Sequence, residues 1–243
     1  MIYTYDGTFN GFLNLIVYLA KNKIMPNKIK DNNYTNSLLE EIISPNISFN
    51  NISDLITNKI GVNCYVTMYY AFLSNNENRE LIIYYYFLNA LKFKDKTNYL
   101  RNVNCIAETL SLSRRVKREN HKFKGYTRFR SVNNILYAQI NPTNNIIYIL
   151  CNHFKKRLKD EYFIIKDVNR NLYGFYNKKN IYILGGINIK DLDIKTDEIE
   201  DLWKSFYNTI GIKERKNDRC RMNFMPKKYW KYILEVENEE IGK

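Results

Sequence analysis

The sequence predicts an α+β fold: a mainly helical N-terminal part, then a mostly antiparallel sheet in the order ββαβββ with helices to one side. Three observations predict it. Apolar residues recur at helical spacing through much of positions 1–124, the period shortens after Gly125, and short alternating segments then follow with turn residues between them. At 243 residues the chain reads as one α+β domain, helical over 1–124 and sheet over 125–185, with an acidic connector, helix and basic tail over 186–243.

Ile2-Tyr-Thr-Tyr reads as a strand, Asp6-Gly7 as a turn and Thr8 as the N-cap of a helix through Lys21. Phe9, Phe12, Leu13, Ile16, Leu19 and Ala20 form its buried stripe. Asn22 to Ser37 is polar and Asn-rich, hence a loop with weak extended structure. Helices are expected over 50–58, 64–73 and 77–92. Tyr84, Tyr85, Tyr86 and Phe87 point all round the last of these, which favours core packing over a base-stacking platform.

A further helix starts near Asn98, with Val103, Ile106, Ala107 and Leu110 as apolar positions, and enters the stretch Arg114 to Arg130. That stretch holds eight Lys/Arg against one acid, Glu119. Continued as a helix, it aligns Arg114, Lys117, Arg118 and His121 below a buried Leu110. After Gly125, Tyr126 to Arg130 alternates as a strand does, with Tyr126, Arg128 and Arg130 on one side and Thr127 and Phe129 on the other.

Ile135 to Ile140 completes a hairpin around Asn133-Asn134, and Pro142 ends it. A helix over 146–159 turns Ile146, Ile149, Leu150, Phe154 and Leu158 inward. Strands follow at 163–167, 172–176 and 181–184, with Asn169-Arg170-Asn171 as a turn. Gly185-Gly186 opens the acidic connector, and Thr196 caps a helix burying Ile199, Leu202, Trp203, Phe206 and Ile210. In the tail, Pro226 fits the first turn of a short helix whose N–H groups, beside Lys227 and Lys228, suit a phosphate. Phe224, Tyr229 and Trp230 would equally serve to pin the chain end to the core.

A net charge of +13 and a pI near 9.4 point to an acidic partner. Asn, Lys, Ile and Tyr are all read from A/T-rich codons, so arginine placement is the better guide. The stretches 114–130, 151–159 and 213–231 contain 20 of the 38 Lys/Arg and nine of the twelve arginines. A phosphate-binding surface is therefore expected from Arg114, Arg115, Arg118, Lys122, Arg128 and Arg130, joined by Arg157, Arg170, Arg215, Arg219 and Arg221. His121, His153, Lys227 and Lys228 belong to the same clusters, and Tyr126 would offer a stacking face. The plain alternative is a solvated charged face.

Other chemistry is constrained. Cys64, Cys105, Cys151 and Cys220 form no Cys-x-x-Cys pair, so reduced thiols in a cytoplasmic protein are expected. Met1-Ile-Tyr-Thr-Tyr-Asp lacks the basic start of a secretory leader. Leu81 to Leu91 is too short for a bilayer, which needs ~20 apolar residues, so no membrane association is expected. No Gly-x-Gly-x-x-Gly, Walker loop or Gly-x-Ser-x-Gly occurs, and no cofactor is expected. A nuclease or glycosylase would use His121 or His153 as acid or phosphate ligand and Asp167 to activate water. The structural alternative pairs Asp167 with Arg157 or Arg170 in a salt bridge. Asp6 is adequately a turn residue.

Four motifs, in order, carry a family resemblance: Tyr3-Thr-Tyr-Asp-Gly-Thr-Phe; Arg115 through His121, Gly125 and Arg128 to Phe129; His153-Phe-Lys-Lys-Arg; and Asn223-Phe-Met-Pro-Lys-Lys-Tyr-Trp. Together they resemble a bacterial family of domains of unknown function linked to DNA metabolism, over nearly the whole chain. Phe123 stands where that family has methionine, and Phe163 where it has tryptophan. Both exchanges are apolar and leave the basic residues in place. The resemblance implies a partner that is a radical SAM protein of DNA modification or repair, and relatives joined to a uracil-DNA glycosylase domain. It brings no catalytic residues. The expectation is a DNA-binding accessory protein whose chemistry resides in its partner. An enzyme using His121, His153 and Asp167 is the alternative, and an RNA-binding or protein-docking module is a third class.

Overall fold

The computed structural model describes residues 1–32, 42–45, 48–132, 135–185, 219, 222–223 and 225–232. It shows an α+β fold with two β-sheets. The chain divides into two compact units, Met1–Arg118 and Glu119–Lys243.

The first unit begins with β1 (Ile2–Tyr5), all four residues of which are buried. Thr8 caps α1 (Phe9–Lys21), its Oγ1 accepting from Gly11 N at 2.9 Å. The helix buries Phe12, Leu13, Leu15, Ile16, Val17 and Leu19, a wider face than one stripe. The reason is the sheet. β1 is flanked on both sides by parallel strands, β2 (Lys28–Asp31) and β3 (Ile42–Ile43), in the order β2-β1-β3. The N-terminal part is therefore not only helical, and the expected loop over 22–37 contains β2. Lys28-Ile-Lys-Asp offers one buried apolar residue, Ile29, so partnership with β1 rather than local pattern makes it a strand.

Three helices follow: α2 (Ile52–Ile60), α3 (Val62–Phe72) and α4 (Arg79–Phe93). In α4, Tyr84, Tyr86 and Phe87 are buried, as dense core packing requires. The two buried phenols are satisfied, Tyr84 donating to Ile24 O and Tyr86 to Asn98 Oδ1, each at 2.7 Å. A 3-10 helix spans Lys94–Tyr99, so α5 (Asn104–Tyr126) begins later than expected.

The second unit takes up the last turns of α5 and then β4 (Arg130–Val132), β5 (Ile135–Ile140), α6 (Ile147–Arg157), β6 (Phe163–Asp167), β7 (Leu172–Tyr176) and β8 (Ile181–Gly185). The sheet runs β4-β5-β6-β7-β8. β5 and β6 are parallel, joined across α6, and the other neighbours are antiparallel. α6 buries Ile147, Leu150, Cys151 and Phe154 and packs on β6, β7 and β8. Gly174 permits the approach: a Cβ there would lie 2.3 Å from Cys151 Sγ.

One expectation is corrected. Tyr126 to Arg130 is not a strand. Tyr126 closes α5, Thr127 still donates its N–H and its Oγ1 to Phe123 O at 3.0 and 2.7 Å, and pairing starts only at Arg130. Phe123 and Thr127, both buried, prolong the helical contact pattern past Gly125, which lies exposed in the last turn. The expected acidic connector, the helix capped by Thr196 and Cys220 lie outside the described residues.

Candidate nucleic-acid interface

α5 separates its residues sharply. Ile106, Thr109, Leu112, Ser113, Val116, Glu119, Asn120 and Phe123 are buried, at spacings of three and four. Arg114, Arg115, Lys117, Arg118, His121 and Lys122 are exposed on the opposite face. Leu110 shares that outer face and is half-buried rather than buried. Arg114 Nε donates to Leu110 O at 3.2 Å, and Lys117 Nζ lies 4.8 Å above the Tyr70 ring. Arg115, Arg118, His121 and Lys122 have no hydrogen-bond or ion-pair partner among the described residues.

In the second unit, positive charge gathers at His153. The half-buried imidazole stands edge-on to Phe154, with ring centroids 5.1 Å apart. Its pKa falls below 6.5 through burial first, and then through the charges of Lys124, Arg157 and Lys156. Lys124 comes from α5 and the other two from α6, so this is charge brought together by folding. An anion bound there would relieve the repulsion.

Asp167 is fully enclosed. Arg170 Nη1 lies 3.1 Å from Asp167 Oδ2, and Arg170 N donates to Oδ1 at 3.3 Å. The same guanidinium reaches Pro142 O at 3.2 Å and also Thr143 O. Burial raises the Asp167 pKa more than Arg170 lowers it. The salt-bridge reading of Asp167 is thus the one realised. Arg170, expected on the binding surface, spends its donors on this loop.

Tyr126 does not present an open stacking face. Its ring packs against Phe123 and Tyr229, with centroids at 6.0 and 5.7 Å. Arg128 donates to Gly125 O at 2.5 Å, and Arg130 sits half-buried at the start of β4. Arg157 and Arg219 are exposed. No hydrogen bond or ring contact joins His121 to His153.

In the tail, Tyr229 and Trp230 are buried, and Trp230 Nε1 donates to Met225 O at 2.8 Å, so these aromatics pin the segment. Lys227 Nζ lies 5.8 Å from the Trp230 ring in a 3-10 helix, Lys227–Tyr232, too short to build a phosphate seat. Arg215, Arg221, Phe224 and the Lys228 side chain lie outside the described residues.

Two residues that the sequence did not single out matter here. Lys124 could have been found from its place in the basic run. Glu119 had only its singularity as the one acid there. Its carboxylate accepts from Thr143 N and Asn144 N, both at 2.8 Å, from Asn144 Nδ2 and from the Tyr229 hydroxyl at 3.3 Å. No group of three or more His, Cys, Asp or Glu able to hold a metal occurs among the described residues. Nor is any described helix long and apolar enough to cross a membrane.

Residues 77–235 match the model of a domain of unknown function, DUF4130. The chain belongs to the DUF4130 family. No curated protein and no solved structure matches it. The DUF4130 region contains the whole of α5 and α6, hence both the outer basic face and the cations around His153. The name carries no activity, so the chemistry of these side chains has to supply the functional reading.

Proposed function

We propose that this DUF4130 protein is a DNA-binding accessory protein of a repair or base-modification system, with the reaction carried out by a radical SAM or glycosylase partner. The observation that carries the reading is a set of cations without partners among the described residues: exposed Arg115, Arg118 and Lys122 on α5 and, acting on His153, half-buried Lys124 with exposed Lys156 and Arg157. Such cations gain most from an external anion, and a phosphate backbone supplies one every few ångströms. Tyr126 is half-buried with its ring against Phe123 and Tyr229, so the surface is better suited to phosphates than to stacked bases. The choice of DNA and of the partner rests on the motif resemblance. RNA remains the alternative polymer, to be separated by competition.

The test is binding of a labelled DNA duplex by the full chain and by an Arg115→Ala, Arg118→Ala, Lys122→Ala variant. The variant should bind at least tenfold more weakly with unchanged unfolding; equal affinity would refute the surface. The enzyme reading draws less support. Asp167, its proposed water-activating group, is enclosed and held by Arg170. Release of a base or cleavage of uracil-containing or abasic DNA by the purified protein, with or without a divalent metal, would restore it.

A further inference from the structure

The parallel sheet of the first unit has its own candidate ligand site, on residues other than the proposed DNA surface. β1 is central, with β2, reached through α1, on one side and β3, which follows β2 in the chain, on the other. The space beyond the carboxyl ends of the strands is the usual ligand position in open parallel sheets. A cavity of about 370 Å³ lies there, lined by Thr4, Tyr5 and Asp6 at the end of β1, Gly11 and Asn14 on α1, Asn32 after β2, and Ser44 and Ser48 after β3. That volume is at the small end of ligand sites, roughly 300–1,000 Å³.

The lining is specific in kind. Asp6 Oδ1 accepts from Thr8 N at 2.8 Å and Thr8 Oγ1 at 2.7 Å, while Oδ2 takes no hydrogen bond from the described residues. Asn14 Oδ1 accepts from Phe49 N at 3.1 Å, which turns its Nδ2 donors to other use. Thr4 Oγ1 and Ser44 Oγ are hydrogen-bonded to each other across the β1–β3 end, and the Ser48 hydroxyl is exposed. Among the described residues, one carboxylate and no cation line the cavity. A Cβ at Gly11 would sit 1.9 Å from Asp6 Oδ1, so a helix position that would gain from alanine holds glycine and lets the carboxylate stay at the cavity wall.

We infer that this cavity binds the vicinal diol of an uncharged furanose sugar, such as the ribose of a nucleoside. A carboxylate oxygen accepts from adjacent hydroxyls, an amide donates back, and a described lining without a cation disfavours a phosphorylated ligand. No bond is made or broken. The experiment uses the full chain, with adenosine and uridine as probes, 2′,3′-dideoxyadenosine and 2′,3′-dideoxyuridine as controls, and saturation-transfer NMR with calorimetry as readouts. At least one ribonucleoside should bind, with its dideoxy form at least tenfold weaker. Asp6→Asn keeps an oxygen for Thr8 N–H and should fold normally, yet lose at least tenfold in affinity. Ser48→Ala, which removes no hydrogen bond to the described residues, should lose several-fold. No binding of either ribonucleoside at millimolar concentration, equal binding of the dideoxy forms, or unchanged affinity in both variants would overturn the inference.

Discussion

Glu119 shows how far a single residue can depart from the reading its neighbours suggest. It sits in the most basic stretch of the chain, where an acid looks like dilution of charge. Its two oxygens instead hold the N–H groups of Thr143 and Asn144, and Tyr229 adds a hydroxyl. Glu119→Ala would leave two backbone donors without acceptors, each costing about 1–3 kcal/mol. Urea unfolding should show a loss of roughly 2–6 kcal/mol. His153 makes a prediction of the opposite kind, about binding. Its folded pKa lies below the unfolded value of 6.5, so the folded state gives up its proton more readily. Stability from this group is therefore complete above 6.5 and falls as pH drops through the folded pKa. A docked phosphate reverses the balance and draws the proton on. DNA affinity should therefore rise as pH falls from 7.5 to 5.5, because binding favours the protonated imidazole. His153→Gln should flatten much of that rise in a fluorescence-anisotropy titration.

At the scale of elements, α6 and β7 meet where the sequence places its smallest residue. Gly174→Ala would drive a methyl into Cys151 Sγ and force the helix away from the sheet. Overpacking of this kind costs about 1–3 kcal/mol. Cys151→Ala removes the opposing sulfur, so the double variant should be more stable than the sum of the two single losses, a coupling that a denaturation cycle measures. The burial of Cys151 also pushes its thiol pKa up to about 12, so alkylation in the folded state should be slow. α5 is the other instructive element. Its period-two tail, Tyr126 to Arg130, looked like a strand because aromatic and basic residues alternate. The helix nevertheless continues to Tyr126, since burying Phe123 and Thr127 on the inner face outweighs the local pattern.

For the whole molecule, the net charge of +13 makes association with any polyanion sensitive to salt. Four phosphate contacts, by Arg115, Arg118, Lys122 and Arg157, would give log K against log salt a slope of about −3 to −4 on duplex DNA. The Arg115→Ala, Arg118→Ala, Lys122→Ala variant should lower that slope by about 2–3. A slope unaltered by the variant would show that general charge, and not this face, accounts for binding.

Much of the fold was legible locally. Thr8 as a cap, and Ile135–Ile140, Phe163–Asp167 and Leu172–Tyr176 as strands, follow from capping and alternation. The outward face of α5 was legible too, because charge and apolar residues repeat at helical period. The site was legible in its cations and less so in its geometry. Tyr126 was misplaced because nothing local reveals Tyr229, 103 positions later, closing over it. The parallel pairing of β1 with β2 and β3, the enclosure of Asp167 by Arg170, and Lys124 acting on His153 were likewise decided in three dimensions. Sequence by itself determined which residues could be buried, capped or charged, since those properties depend on side-chain chemistry and short-range period. Only the tertiary structure decided which of them meet, because strand pairing, desolvation and mutual repulsion depend on distances across the fold.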